Sequence, residues 1–309
     1  MRILEGMVHK PSPHPRFMES APWGHFRHND QDILVDVEGG ITIAGNTVRP
    51  FPCEITFASL CDGGLVATWV DHDLRLARMA LLSLEEPLEE GVTKATLRLS
   101  KDTTMVAGSK WCHIIDAEPL ALESRGDKII FALWARGIYC IDSSANELWR
   151  LSLMEEQDKT PPRSNEVAAI SIVADEVVVW SRDGKYRRIS LSDGHVLSEG
   201  SLGVDCDLEK VFNDGDNFLL SSNDGWAWEF KDGQITVARK LRGTIQDAIH
   251  DGNDWKIISW REDIMLRGGT NTRTELGVQL VKQDENWLVL DNQGQFSPHL
   301  GDENNHSLD

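Results

Sequence analysis

Short apolar runs recur along the chain and alternate with polar turns. The run after Asp175 reads EVVVWSRDGKYRRISLSDGHVL, and the run after Asp216 reads NFLLSSNDGWAWEFKDGQITV. Each contains an apolar run, a polar turn, a second run in which apolar and polar residues alternate, and an Asp-Gly turn. Strands of about five residues joined by tight hairpin turns have this pattern. The chain therefore predicts antiparallel sheets built from consecutive strands.

The two segments align without gaps from Asp175 and Asp216 through their first turn, which identifies a repeating unit. The alignment superimposes two Ser-x-Asp-Gly turns, at 181–184 and 222–225. Five other units open in the same way, so that the unit starts fall at positions 32, 62, 127, 175, 216, 254 and 285. Their mean spacing of about 42 residues is typical of one four-stranded propeller blade. The longest interval, between positions 62 and 127, predicts an additional pair of strands near 105–115.

Units of this kind must stack on one another, and closing the ring protects the sheet edges. We therefore predict an all-β chain that forms one β-propeller over residues 1–300, with four-stranded antiparallel blades. Seven blades are predicted, and six or eight also fit the spacing. Because the last unit is short and residues 2–7 alternate, the N-terminal strand is predicted to complete the last blade. Residues 301–309 are predicted to be a disordered acidic tail.

One unit resembles the repeat of pyrroloquinoline-quinone-type propellers. Residues 137–150, GIYCIDSSANELWR, place Trp149 in the position where that repeat docks a tryptophan between blades. The segments around Asp183 and Asp263 resemble WD-repeat blades. The resemblance extends from about residue 32 to residue 296. It implies a propeller fold with Trp149 at a blade interface, and it implies no particular function.

Charge and cysteine content narrow the partners and the compartment. The formal net charge is -19, so we expect neither a nucleic acid nor an anionic membrane surface as partner. No apolar run reaches the roughly 18 residues that a membrane helix needs. The cysteines are odd in number and show no C-x-x-C spacing, which predicts reduced thiols and a cytoplasmic location. They are Cys53, Cys61, Cys112, Cys140 and Cys206.

The sequence shows no motif for catalysis, a cofactor or a metal. It lacks the G-x-S-x-G nucleophile turn and the glycine-rich phosphate loops. His25 and His28 stand three apart, which puts them on opposite sides of a strand, so surface histidines are predicted rather than zinc ligands. The segments 213–217 and 251–254 are rich in side-chain oxygens but lack the spacing of a calcium loop, so ordinary turns are predicted. We predict no catalytic residues, no metal and no cofactor.

The turns after the second strand of each unit are predicted to emerge together on one face, around the mouth of the channel. In register they present Arg136, Arg182, Asn223, Arg261 and Asn292. Three arginines on one rim of an acidic protein predict a docking patch for an acidic partner or ligand. Independent polar turn residues are the alternative interpretation.

Tryptophans supply the second candidate feature. Trp226 and Trp228 lie two residues apart on one face of a predicted strand, where an exposed indole near an arginine is a typical interface anchor. Most other tryptophans are predicted to pack between blades, because aromatic side chains bury a large area. Those that fall within or just after the inner runs are Trp69, Trp134, Trp180, Trp260 and Trp287.

These observations favour a non-enzymatic propeller scaffold that binds a protein partner. Two alternatives remain open. One is a hydrolase or lactonase that holds a divalent metal in the central channel, because such sites take residues from distant blades and leave no local motif. The other is a sugar- or peptide-binding module that uses Trp226 and Trp228.

Overall fold

The computed structural model describes residues 20–72, 74–93, 95–96, 106–153, 163, 165–284 and 286–299. Within these ranges the chain forms seven antiparallel sheets, the blades of a β-propeller, as the repeat predicts. Six blades have four strands, and the seventh has three among the described residues. The predicted N-terminal closing strand at 2–7 and the tail at 301–309 both lie outside the described residues.

The strands follow one another in chain order within every blade. Blade 1 contains β1 (Pro22–His28), β2 (Gln31–Asp36), β3 (Ile41–Ile43) and β4 (Asn46–Val48). Blade 2 contains β5 (Phe57–Cys61), β6 (Gly64–Asp71), β7 (Leu76–Leu82) and β8 (Ser109–Ile115). Blade 3 contains β9 (Pro119–Arg125), β10 (Lys128–Leu133), β11 (Gly137–Asp142) and β12 (Glu147–Leu151). Blade 4 contains β13 (Val167–Val173), β14 (Glu176–Ser181), β15 (Lys185–Ser190) and β16 (Val196–Ser201).

The remaining blades repeat the arrangement. Blade 5 contains β17 (Leu208–Asp214), β18 (Asn217–Ser222), β19 (Trp226–Lys231) and β20 (Gln234–Lys240). Blade 6 contains β21 (Ile245–His250), β22 (Trp255–Ser259), β23 (Glu262–Met265) and β24 (Thr270–Thr272). Blade 7 contains β25 (Gly277–Gln283), β26 (Asn286–Asp291) and β27 (Phe296–Pro298). The long interval in blade 2 is therefore the connection from β7 to β8, and the segment expected to add a strand pair supplies that blade's fourth strand.

The second strand of a blade lies at the centre of the core. Strands β14, β18 and β22 are buried over nearly their whole length. Both faces of such a strand are covered by neighbouring blades, so its residues are apolar without alternation. Trp69, Trp180 and Trp255 are among the largest fully buried side chains. Packing of aromatic residues between blades is thus confirmed for Trp69 and Trp180.

First strands of neighbouring blades contact one another from β5 through β25, and β25 contacts β1. At this closure Gln279 makes two hydrogen bonds to the backbone of His25. The His25 amide donates to Gln279 Oε1 at 2.6 Å, and Gln279 Nε2 donates to the His25 carbonyl at 3.0 Å. Among the described residues, the contact between blades 7 and 1 therefore closes the ring.

Polar side chains also join adjacent first strands. Lys210 Nζ donates to the carbonyl of Gln246 at 3.0 Å, and the amide of Leu280 donates to Asp247 Oδ2 at 2.7 Å. Burial raises the pKa of Asp247 to about 6 and that of Glu123, on β9, to about 7. Desolvation disfavours the charged form of each carboxyl group. The inner ring thus contains carboxyl groups that titrate close to neutral pH.

Tryptophans on outer strands connect successive blades. The indole of Trp149, on β12, donates from Nε1 to the carbonyl of Leu191 in blade 4 at 3.1 Å, and its ring packs on Gly194. This contact confirms the docking that the resemblance implies for Trp149. Trp111, on β8, donates in the same way to the carbonyl of Ser143 in blade 3 at 2.9 Å. The same type of link therefore occurs at two successive blade interfaces.

Arginines join the later blades. Arg273 donates to Asp263 Oδ1 at 2.5 Å and to Ser297 Oγ in blade 7 at 2.7 Å, and its ion pair with Asp263 is almost completely buried. Arg267 pairs with the buried carboxylate of Glu229 in blade 5. Removing one partner of a buried ion pair leaves an uncompensated charge and is strongly destabilising. These two links should therefore contribute to the order of blades 5 to 7.

Candidate functional site

One face of the propeller carries both the turns after each second strand and the connections between blades. Backbone hydrogen bonds join the two sets: the amide of Arg182 donates to the carbonyl of Glu166 at 2.9 Å, and that of Asn223 to Asp207 at 3.1 Å. We call this side the connection face. The turns from first to second strands emerge on the opposite face, because successive strands are antiparallel.

The structure corrects the predicted register of the turn residues. The first residue after the second strand is Arg182 in blade 4, Asn223 in blade 5 and Asn292 in blade 7. In blades 3 and 6 this position holds Trp134 and Trp260. At this position in blades 3 and 6 the connection face therefore carries an indole, where the sequence predicted a guanidinium group.

Arg136 lies two positions beyond the equivalent site, and Arg261 lies one position beyond it. Both are exposed. The turn of blade 6 has only two residues between β22 and β23, so its register differs from that of blades 4 and 5. The side chain of Asn292 makes a hydrogen bond within the chain, because its Oδ1 accepts from the amide of Leu276 at 3.2 Å.

Three tryptophans are exposed on the connection face. Trp260 is 63% exposed, Trp134 is 46% exposed and Trp226 is 36% exposed. The prediction that Trp260 packs between blades is therefore wrong, because this residue occupies a turn. Trp134 is also exposed, but its Nε1 donates to Glu166 Oε1 at 2.9 Å, so its indole links the turn of blade 3 to the segment that leads into blade 4. Trp228, two residues beyond Trp226, is buried, so one member of the predicted Trp226–Trp228 pair is exposed.

Four of the predicted binding residues border one hollow of about 860 Å³ between blades 4 and 5. They are Arg182, Asn223, Trp226 and Trp228. The other residues that line the hollow are Arg163, Asp183, Val204, Asp205, Cys206, Asp207, Asp224 and Ala238. Arg136, Arg261 and Asn292 lie elsewhere on the connection face.

The repeated Ser-x-Asp-Gly turns form two edges of the hollow. In blade 4 the hydroxyl of Ser181 donates to Asp183 Oδ1 at 2.5 Å, and the amide of Gly184 donates to the Ser181 carbonyl at 3.0 Å. Gly184 has φ +75, in the left-handed region that favours glycine. Partial burial opposes ionisation of Asp183, but hydrogen bonds from Lys185 and Ser181 outweigh it and lower the pKa of this carboxyl. The turn thus presents a fixed, ionised carboxylate.

Blade 5 forms the same turn. Ser222 donates to Asp224, and the amide of Trp226 donates to Ser222 Oγ at 3.0 Å. Hydrogen bonds from Ser222 and from Lys240 lower the pKa of Asp224. The equivalence that the alignment predicts between 181–184 and 222–225 is therefore present in the structure. It places two ionised aspartates at matching positions beside the hollow.

Arg182 is already paired within the chain. Its Nε and Nη2 both donate to the carboxylate of Asp207 at 2.8 Å, and Asn223 Nδ2 donates to Asp207 Oδ2 at 2.7 Å. A bidentate pair of this kind fixes the guanidinium plane. Asp207 comes from the connection between blades 4 and 5, and the sequence interpretation did not include it. It joins two of the predicted residues into one unit.

Two stacked tryptophans line one side of the hollow, and the ammonium of Lys240 lies against them. The rings of Trp226 and Trp228 stack with centroids 6.2 Å apart and planes inclined by 12°. Lys240 Nζ lies 5.4 Å from the centroid of the Trp226 ring and donates to Asp224 Oδ2 at 3.0 Å. An ammonium within about 6 Å of an indole is attracted by the ring quadrupole.

The thiol of Cys206 borders the hollow and lies near several carboxylates. Its thiol pKa is raised to about 11, first by burial and then by the charges of four aspartates. These aspartates are Asp183, Asp205, Asp207 and Asp224. The charges of the aspartates add to the effect of burial, because they too oppose formation of a thiolate. The thiol is consequently a poor nucleophile.

The histidines and the oxygen-rich segments that the sequence analysis considered as metal sites make contacts within the chain. His25 is buried, against the prediction of a surface histidine, and its Nε2 lies 3.0 Å from Asp32 Oδ1. Asp251 Oδ1 accepts from the amides of Asn253 and Asp254 at 2.9 and 3.0 Å, which is the predicted side-chain-stabilised turn. Among the described residues, no three His, Cys, Asp or Glu side chains are placed to hold a metal ion. No helix in the described ranges is long and apolar enough to cross a bilayer.

Solved structures share this architecture at low sequence identity. BamB from Moraxella catarrhalis matches with a TM-score of 0.56 and 12% identity, over 88% of this chain and 94% of that chain. The β-propeller domain of Cps50 (Swd1) from Myceliophteria thermophila matches with a TM-score of 0.63 and 11% identity, over 92% and 97%. The WD40 β-propeller domain of Doa1 matches with a TM-score of 0.62 and 10% identity, over 92% of each chain.

These similarities confirm the predicted resemblance to WD-repeat and related propellers at the level of the fold. No protein-family model matches the chain. The comparison with curated proteins gives no significant match. Function must therefore be argued from the residues of this chain.

Proposed function

We propose that this protein is a non-enzymatic propeller scaffold that binds a protein partner through its connection face. One observation carries the proposal. Six of the eight large apolar side chains that are exposed in the described ranges lie in the turns and connections of this face or directly beside them. They are Leu74, Ile114, Trp134, Val204, Trp226 and Trp260.

The composition of this set favours a protein interface. Tryptophan is enriched at interfaces and among the residues that dominate binding energy. An indole left in water loses the stabilisation of burial, about 25 cal/mol per Å² of apolar surface. Trp260 also has φ 47, a backbone conformation that is uncommon outside glycine. An exposed tryptophan held in such a turn contributes little to the core and is available to a partner.

The same proposal includes a cytoplasmic location, which the thiol state of the cysteines supports. It also excludes nucleic acid as the partner, because the net charge of -19 opposes binding to phosphates.

Affinity capture from the native lysate tests the proposal. The bait is the full chain, compared with a variant in which Trp134, Trp226 and Trp260 are all changed to serine. We expect a stoichiometric protein to be retained by the wild type and lost from this variant, because a protein interface depends on a few central aromatic anchors.

The matched control is Leu148→Ser/Leu197→Ser. These leucines are 45% and 49% exposed but lie on outer strands, away from the connection face. The control should retain the partner. Equal capture by all three baits would refute the connection face as the binding surface, and loss from the control variant alone would assign binding to the outer strands.

A further inference from the structure

We infer that the hollow between blades 4 and 5 receives an arginine or lysine side chain from the protein partner. The inference rests on the proposed function and specifies the chemistry of the partner at one place on the connection face. The sequence predicted an acidic partner from its three arginines, whereas this inference assigns a basic side chain to the partner at the hollow.

The cations that border the hollow are committed to carboxylates of this chain. Arg182 is held by Asp207 through two hydrogen bonds of 2.8 Å. Arg163 pairs with Glu166, whose side chain is 8% exposed. An acidic ligand would have to displace one of these intramolecular pairs. The arginines therefore offer less to an anion than their number suggests.

Four aspartates border the hollow, and three of them pair with cations of this chain: Asp207 with Arg182, Asp183 with Lys185 and Asp224 with Lys240. Asp205 is exposed and lies in the connection between blades, next to Cys206. Because Arg163 is paired with Glu166, the carboxylate of Asp205 is the charge at the hollow that no cation of the described residues compensates. A cation entering the hollow would therefore be attracted electrostatically to Asp205.

The indole of Trp226 supplies the second part of the recognition. It is 36% exposed, and it already lies within 5.4 Å of one ammonium, that of Lys240. Together with Trp228, Val204 and Ala238 it makes the hollow partly apolar. An arginine side chain fits both features, because its guanidinium stacks on aromatic rings and donates in a planar fork to carboxylates. A lysine fits with its apolar stem on the indole and its ammonium at the carboxylates.

Three acetylated, amidated heptapeptides probe the hollow, with sequences ALRALRA, ALEALEA and ALQALQA. They share length and apolar residues and differ only in charge. Binding to the full chain is measured by isothermal titration calorimetry at low salt. We expect ALRALRA to bind at least ten times more tightly than ALQALQA, and ALEALEA to bind most weakly.

Variants locate the binding. Trp226→Ala should reduce affinity for ALRALRA about tenfold or more, as for an interface anchor, and Asp205→Asn about threefold or more, as for an exposed charge partner. Leu197→Ala is the matched control, since it removes an exposed apolar side chain of blade 4 on the outer strand β16, away from the connection face, and it should leave the affinity unchanged. Thermal unfolding of each variant confirms that it is folded.

Three results would overturn the inference: tighter binding of ALEALEA, no change with Trp226→Ala, or no binding of any peptide at millimolar concentration. These results are separable from failure of the proposed function. If the triple tryptophan variant loses the partner while ALRALRA does not bind, the scaffold proposal stands and the inference of a basic partner side chain in the hollow is refuted. If ALRALRA binds at the hollow while the triple variant retains the partner, the hollow recognises cations but the partner binds elsewhere.

Discussion

Gly194 tests whether the tryptophan links hold neighbouring blades together. A Cβ atom at Gly194 would lie 2.8 Å from Trp149 Cδ2 and 2.9 Å from Cγ. Gly233 occupies the corresponding Asp-Gly turn of blade 5, and a Cβ there would meet nothing within 4 Å. The two glycines have nearly the same φ, +75 and +77. Changing each to alanine therefore separates the backbone cost from the contact with the indole.

The expected magnitudes follow from these contacts. Each alanine pays about 1–2 kcal/mol for a left-handed residue, and loss of unfolded-state entropy returns about 0.4–1 kcal/mol. Gly233→Ala should therefore lower the free energy of unfolding by less than about 2 kcal/mol, with a central value of about 1 kcal/mol. Gly194→Ala should add about 1–3 kcal/mol for pushing the Trp149 ring out of its place.

Urea unfolding measures both free energies, and the Trp149→Ala background supplies the internal check. Trp149→Ala alone should cost about 3–5 kcal/mol. With the ring gone, Gly194→Ala should cost no more than Gly233→Ala, because neighbouring substitutions are not additive. Equal costs of Gly194→Ala and Gly233→Ala in the wild-type background would refute the proposed role of Trp149 between blades.

Two further predictions concern charged groups, and both are measured by chemical denaturation. Arg273→Met should cost about 3–5 kcal/mol because it removes one partner of the buried Asp263 carboxylate. Arg150→Met should cost less than about 1 kcal/mol, because the side chains of Arg150 and its partner Glu147 are 69% and 50% exposed. Similar costs would refute the reasoning. Burial raises the pKa of Glu123 from 4.5 to about 7, so its contribution to the free energy of unfolding falls as the pH rises between these values. Glu123→Gln should gain stability over the wild type by about 3 kcal/mol at pH 8 and little at pH 4. A constant difference across this range would contradict the assignment.

Local patterns made much of the fold predictable from sequence. The Ser-x-Asp-Gly turns at 181–184 and 222–225 fix their own geometry through bonds between residues two to four apart, so the sequence contains their full description. The burial of β14 and β18 follows in the same way from continuous apolar runs. Trp149 was identified because its repeat context is complete. The equivalent link of Trp111 was missed because the long β7–β8 connection displaces it from the regular spacing.

The candidate site depended on contacts that the sequence does not contain. Arg182 and Asp207 are 25 positions apart, and their pairing depends on the path of a blade connection. The sequence alone therefore predicts Arg182 to be an available cation. The exposure of Trp134 and Trp260 depends on where the second strand ends, since each is the first residue after that strand. Apolar character alone does not distinguish this position from the last residue of the strand.

Hydrogen–deuterium exchange of the full chain, alone and in complex with its captured partner, tests the central claim most directly. The account predicts that protection on binding appears in the turns and connections of the connection face, at 182–184, 202–207, 223–226 and 260–261. Exchange at 232–233 and 251–254, on the opposite face, should be unchanged. Protection confined to the opposite face, or to the outer strands, would contradict the assignment of the connection face as the surface through which this propeller binds.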